Sequence, residues 1–314
     1  MTGLSDAAVS RLKKVGNWPE FPTGRYSALQ EIGRGGMGTI YLARDEELGR
    51  EVAIKIPNAL ASSVMDRRLH SEARALASLE HPGIVPIHDA GRLADGRIFY
   101  VMKRVEGRTL DDHLQQVTDI GERLRVFERL CDPVAFAHAR GIVHRDLKPE
   151  NVMVGAFGEV MVMDWGLATN LSEQSDSGSV IGTRGFMAPE QARGEPIDER
   201  ADVYALGAIL FLLLTDVPPS SGRDTASALA QRQVPRALKA ICAKALAPDP
   251  QTRYRSVKAL GEDVARYRAG SAVEAHRETF VEKVARVGRA YRTAILLVLG
   301  YIIMRTLVAL LAGW

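Results

Sequence analysis

The stretch His144-Arg145-Asp146-Leu147-Lys148-Pro149-Glu150-Asn151 decides how this chain is read. Eight residues of these types in this order do not readily arise by chance. Downstream lie two shorter signals, Asp164-Trp165-Gly166 and Ala188-Pro189-Glu190. Between them runs a segment rich in Ser, Asp and Gly, from Asn170 to Ser179. Upstream, Val52-Ala53-Ile54-Lys55 ends an apolar strand on a lysine, whose charge needs somewhere to go. Taken alone, that lysine fits a solvated strand end. Glu72 changes the reading. It falls on a predicted helix over Met65–Leu79, on the same stripe as Leu69 and Leu76, and an acid on a core-facing stripe needs a cationic partner such as Lys55.

Further upstream stands Gly33-Arg34-Gly35-Gly36-Met37-Gly38, a GxGxxG pattern that is weak by itself. A dinucleotide-binding loop opens directly into a helix. Here Thr39-Ile40-Tyr41-Leu42 reads as a second strand, so the glycines sit at a β-hairpin tip. Glycines there let backbone N–H groups approach phosphate oxygens. The other early runs, Tyr26–Ile32, Thr39–Arg44 and Arg50–Ile56, also read as strands. After Asp111 the pattern becomes mainly helical. Ala201–Leu214 is almost continuously apolar but short for a membrane span and opens on Asp202, which favours a buried core helix.

The ordered set of motifs resembles the protein-kinase superfamily, and its wording resembles the bacterial eukaryotic-like serine/threonine kinases. The resemblance covers Tyr26 to about Ala269. It implies an α+β, two-lobed fold: a small antiparallel-sheet lobe over 26–102 and a larger helical lobe over 103–269. It implies ATP and Mg²⁺ as cofactors, with Mn²⁺ as an alternative. By matching position, Ile32, Gly33, Arg34, Gly35, Gly36, Met37, Gly38, Thr39 and Ile40 would cover the ATP phosphates. Lys55 would hold the α- and β-phosphates and pair with Glu72. Ala53, Met102 and Arg104 would line the adenine site, in a hinge over Val101–Val105 with Met102 as its gatekeeper. Asp146 would take or orient the substrate hydroxyl proton, and Lys148 would neutralise the γ-phosphate. Asn151 and Asp164 would bind the metal. Glu190 would pair with Arg253, and Asp202 would anchor the catalytic loop; both are structural roles. Protein Ser/Thr hydroxyls would be the acceptors. Arg145 before the catalytic acid implies phosphate on the activation segment, with Ser172, Ser175, Ser177 and Ser179 as candidates and Thr183 in the substrate-binding floor. The alternative from another class is a pseudokinase that binds nucleotide as a scaffold; the presence of Lys55, Glu72, Asp146, Asn151 and Asp164 speaks against it.

Three departures from the family pattern stand out. Trp165 replaces a phenylalanine, and Lys103 stands where a hinge acid is common. The stretch from Pro219 to Val234 is short, with Ser220 in place of an aromatic, and it lacks room for the additional helix that helps relatives dock protein substrates. Substrate recognition through the tail or by co-localisation is therefore expected.

Composition sets outer limits. The chain has 314 residues, 46% of them hydrophobic and 25% charged, enough for one large domain with a real core. The net charge of +3 gives no support to nucleic acid as a partner. Cys131 and Cys242 belong to no metal-binding pattern and read as small core residues in a reducing compartment. Residues 1–25 form a lead-in with no signal-peptide pattern, in which Trp18, Pro19, Phe21 and Pro22 are placed to pin the segment to the domain. A basic segment, 270–292, carries Lys283, Arg286, Arg289 and Arg292. Ala294–Trp314 follows with one charge, Arg305. Its length suits a membrane span, about 20 residues. Arg305 would cost about 2.5–3.5 kcal/mol at the centre, offset by Leu, Ile and Val at about 0.3–0.6 kcal/mol each. The expectation is a single-pass membrane protein with a cytoplasmic kinase domain. The rivals are a helix packed on the kinase domain, a self-associating helix that would give a homodimer, and a cytoplasmic location. No sensor domain is expected beyond Trp314.

Overall fold

The computed structural model describes residues 19, 21, 24–35, 38–57, 79–165, 169–170, 185–219, 225–290 and 292–312. The first five strands are β1 (Tyr26–Gly35), β2 (Gly38–Asp45), β3 (Arg50–Pro57), β4 (Ile87–Arg92) and β5 (Ile98–Lys103). They form one antiparallel sheet in the order β1-β2-β3-β5-β4. Period-2 alternation divides β3 between two faces. Val52, Ile54 and Ile56 enter a core with Tyr26, Ala43 and Phe99. Ala53 and Lys55 take the opposite face, where register places Met102 beside Ala53 and Ile40 beside Lys55. The same period thus sends one set of side chains into the core and the other to the opposite face.

Phe21 is buried against Phe99 and Tyr26 at ring distances of 5.1 and 6.0 Å, so the lead-in is pinned through this residue. Trp18, Pro22 and the 65–78 part of the predicted helix that carries Glu72 lie outside the described residues.

The second lobe is mainly helical. It contains α1 (Leu110–Leu114), α2 (Ile120–His138), α3 (Pro189–Ala192), α4 (Arg200–Thr215), α5 (Thr225–Gln231), α6 (Arg236–Ala245) and α7 (Val257–Arg268). Asp119 caps α2 by accepting from Glu122 N at 2.7 Å, and Ser256 caps α7 through Ala259 N. The apolar run predicted as a core helix is α4, with Leu206, Ile209, Leu210 and Leu213 fully buried. Its close neighbour is α6: a Cβ on Gly207 would stand 2.7 Å from Ala245 Cβ. Short strands β6 (Arg108–Thr109), β8 (Val152–Val154) and β9 (Val160–Val162) make a small sheet under the cleft, and β7 (Ile142–Val143) pairs with β10 (Thr169–Asn170). The expected lack of room for a helix in the abbreviated 219–234 stretch is not met: a short helix, α5, lies there, with Leu229 buried in the large core. Packing continues past Ala269, since Val273 joins the large core. Both cysteines are buried and free.

Two further helices follow, α8 (Phe280–Ala290) and α9 (Arg292–Ala312). Thr279 and Glu282 form a reciprocal capping box at the start of α8, with Glu282 N to Thr279 Oγ1 at 3.3 Å and Thr279 N to the Glu282 carboxylate at 2.9 Å. With His276 and Arg236 adding bonds, the Glu282 carboxyl is held down at about 2. The expected membrane span is not met: among the described residues no helix is long and apolar enough to cross a membrane. The side chains of α9 are described at 296–308, 310 and 311, and those that are apolar, such as Leu297 and Leu310, are exposed.

Candidate active site

The centre of the site is a loop built from buried polar bonds. Asp202, fully buried on α4, accepts from the backbone N–H of His144 at 2.8 Å and of Arg145 at 2.9 Å. His138 Nε2 reaches the same carboxylate at 2.7 Å. Burial pushes the Asp202 carboxyl up, but the His138 bond and charge and the loop N–H groups outweigh it and hold the group below its usual range. Arg145 takes a left-handed backbone, φ 69°. Such a conformation costs a non-glycine residue on the order of 1–3 kcal/mol, and the two bonds to Asp202 hold it there. The loop is also tied by Gln191 Nε2 to Arg145 O at 2.7 Å and by Met163 N to Asn151 O at 2.8 Å.

Within this frame Asp146 is buried, with Lys148 Nζ 3.1 Å from its Oδ2. Asn151, on a 3₁₀ turn over Pro149–Asn151, gives its Nδ2 to Asp146 O at 2.8 Å and to Oδ2 at 3.3 Å. The amide nitrogen is thereby committed to Asp146, which leaves Oδ1 as the atom with acceptor capacity. His144 is fully buried, its Nε2 against Met163 O at 3.0 Å while its Nδ1 accepts from Asp146 N at 3.3 Å.

Asp164 also has a left-handed backbone, φ 56°, and its carboxylate meets Lys55 Nζ. This contact joins the sheet lobe to the helical lobe at the cleft. The expected partner of Lys55, Glu72, lies outside the described residues. Trp165 is buried on the far side, with Nε1 donating to Val162 O at 3.3 Å and its ring 4.6 Å from that of His144. The substituted indole thus finds a partner for its polar edge, as buried tryptophan usually does.

The glycine pattern forms a hairpin tip: Gly35 faces Gly38 in register, and Gly36 and Met37 lie outside the described residues. The glycines serve different ends. A Cβ on Gly38 would overlap the Ile56 carbonyl oxygen, so Gly38 is needed for packing on β3. A Cβ on Gly35 would meet nothing, which leaves open space along the strand. Ile32 is half exposed and Thr39 buried. Arg34 is engaged by Glu31 at 2.7 Å, so what it can offer a phosphate is its backbone. At the other end of the cleft, Met102 sits near the end of β5, and Arg104 pairs with Glu51. Lys103 N donates to Pro86 O at 3.1 Å.

Glu190 and Arg253 form a buried bidentate pair, both bonds 2.7 Å, and Arg253 also donates to Ala247 O and Arg200 O. Among the described residues no cluster of three or more His, Cys, Asp or Glu could hold a metal. Asn151 and Asp164 are two oxygen donors. That suits a cation such as Mg²⁺, which takes one or two carboxylates and completes its shell with phosphates and water.

Sequence reasoning missed His138, whose hold on Asp202 spans 64 residues with no local signal. It also missed Asp263, which accepts from Tyr254 OH at 2.7 Å, Glu274 N at 2.6 Å and Ala275 N at 3.0 Å and so fastens 274–275 to α7.

Known proteins show the same pattern. The family described as protein kinase domain matches residues 26–276. The serine/threonine-protein kinase PknD of Chlamydia felis is 36% identical over 296 residues, covering 79% of this chain and 31% of that protein. PrkC of Bacillus subtilis is 39% identical, with 77% and 40% covered, and PknB of Mycolicibacterium smegmatis is 36% identical, with 82% and 45% covered. The chain spans less than half the length of these curated relatives. The crystal structure of the Mycobacterium tuberculosis PknI kinase domain superposes with a TM-score of 0.64 at 26% identity, over 77% of this chain and 96% of that one. The chain belongs to the protein kinase family.

Proposed function

We propose that the chain is an active serine/threonine kinase that transfers the ATP γ-phosphoryl group to protein hydroxyls. The observation that carries this reading is the Asp146 carboxylate, buried and held between Lys148 and Asn151 on a loop fixed by Asp202. As the acceptor oxygen bonds to the γ-phosphorus and the bond to the β-phosphate breaks, Asp146 takes the hydroxyl proton. Lys148, beside it, balances charge on the transferring group. Lys55 holds the α- and β-phosphates once its contact with Asp164 opens, and Ala53, Met102 and the backbone at Arg104 line the adenine site. Ile32 to Ile40 cover the phosphates. Asn151 and Asp164 would hold Mg²⁺ (or Mn²⁺), which supplies charge neutralisation at the phosphates. Replacing Lys148 with Ala should lower the rate of transfer while leaving Mg·ATP binding; unchanged turnover would refute its role.

Regulation by phosphate follows from Arg145. Its Nε is buried with no hydrogen-bond partner among the described residues, and burial holds the guanidinium below its usual pKa despite nearby Asp202. A phosphate on Ser172, Ser175, Ser177 or Ser179, all outside the described residues, would supply the missing acceptor. Intact-mass measurement after incubation with ATP should show steps of one phosphate; no step refutes it.

The exposed apolar side chains of α9, such as Leu297 and Leu310, support association with a lipid surface. The protein should pellet with membranes, and removing 293–314 should release it. Recovery of the full chain in the soluble fraction would refute the anchor.

A further inference from the structure

Away from the cleft, a groove of about 410 Å³ opens between α1, the start of α2 and the β8–β9 turn. Arg108, Arg125 and Arg129 line it, against a single acid, Glu122. None of the three arginines forms an ion pair among the described residues. Arg108 bonds to the neutral Gln116, and Arg129 donates to Gly158 O, which ties α2 to the turn. The three cations outnumber Glu122 and Glu159, whose carboxylate lies against the lining residue Gly155, and leave a net positive charge that an acidic group can answer. His113 adds a buried Nε2 with no partner among the described residues.

An apolar feature stands at the edge. Phe157, in the β8–β9 turn between the lining residues Ala156 and Gly158, is 95% exposed. A phenylalanine held almost wholly in water on a turn braced by Arg129 is a ready anchor for another protein. The turn keeps its own acid occupied, since Glu159 accepts from Phe157 N at 3.0 Å. The groove also has a direct line to the catalytic loop. Arg108 lies on β6, β6 pairs with β8, and β8 begins one residue after Asn151.

We infer that this groove docks an acidic segment of a partner protein, with carboxylates at the three arginines and an apolar side chain against Phe157. The charge excess selects the acidic partner, and the exposed ring adds an apolar contact that charge alone would not call for. A segment held here would raise the local concentration of its parent protein near Asp146; that consequence rests on the kinase reading, whereas docking itself does not.

The test is binding, read independently of phosphotransfer. The probe is a fluorescein-labelled Glu-Glu-Leu-Glu-Glu-Leu-Glu-Glu peptide, which has no phosphoacceptor, added to the purified full chain and followed by anisotropy. Saturable binding is expected, weakening as salt rises from about 0.05 to 0.3 M. Phe157→Ala with Arg125→Glu should weaken it by about tenfold or more. Both positions are exposed, and an unchanged melting temperature would show that the fold is kept. Lys258→Glu, an exposed reversal on α7, should leave binding unchanged. Equal affinity in the double variant, equal loss in Lys258→Glu, or no saturable binding would overturn the inference. So would tighter binding to anionic lipid vesicles or duplex DNA that depends on the same residues.

Discussion

The catalytic loop and the glycine hairpin face the same cleft but are held in opposite ways. In the loop, a fully buried carboxylate on a core helix fixes two consecutive N–H groups, and a neighbouring amide fixes the acid between them and the next helix turn. In the hairpin, one glycine packs tightly on β3 while another faces open space and Ile32 is half exposed. The difference teaches where structure ends and ligand begins. Buried polar groups that are fully satisfied define geometry. Groups left open on one side await a partner. The Lys55–Asp164 contact stands between these extremes: it joins both lobes, yet both side chains keep some exposure, at 12% and 24%.

Breaking the rigid half should have the largest effect. Asp202→Ala leaves two loop N–H groups and His138 without their acceptor in a dry site. The cost should be on the order of 3–5 kcal/mol, seen in chemical unfolding, together with loss of transfer. The opposite half should separate the two readouts. Lys55→Met should cut transfer by about 10²–10³-fold while costing less unfolding free energy than Asp202→Ala, because the Asp164 carboxylate keeps some exposure to water whereas Asp202 keeps almost none. If Lys55→Met proved as destabilising as Asp202→Ala, the contrast would collapse.

A subtler probe of the rigid half is acid. Burial pushes the Asp263 carboxyl up, but its bonds to Glu274 N, Tyr254, Ala275 N and Arg266 hold it below the usual range. A folded value below the unfolded one, about 3.9, means its stabilisation is present above that pH and is lost as pH falls through the folded value. Melting curves between pH 7 and pH 3 should therefore fall less steeply for Asp263→Asn, which starts weaker at pH 7. An identical acid limb in both proteins would show that Asp263 does not contribute. Smallest is Trp165→Phe, which loses the bond to Val162 O and contact with the His144 ring; about 1–2 kcal/mol of stability should go, with transfer largely kept.

What the sequence disclosed follows the same division. Local patterns were legible: the hairpin from a strand following the glycines, the strand that ends on Lys55 from its apolar run, the core helix from its unbroken apolar run. Glu190–Arg253 and Asp202 were legible through family resemblance alone, since partners 63 and 58 residues apart leave no local trace. Lys55 meeting Asp164 was not legible, because the two lie 109 residues apart and leave no local trace. The arginine groove escaped for the same reason: Arg108, Arg125 and Arg129 look like ordinary surface charge until α2 and the β8–β9 turn bring them around one hollow.

The most direct test is transfer of label from ATP, with Mg²⁺, to the protein itself and to a generic basic protein, comparing wild type with Asp146→Asn. Label on serine or threonine in the wild type, falling by about 10²–10⁴-fold in the variant at unchanged melting temperature, is the predicted result. Tight Mg·ATP binding without transfer in the wild type, or equal transfer in the variant, would contradict it.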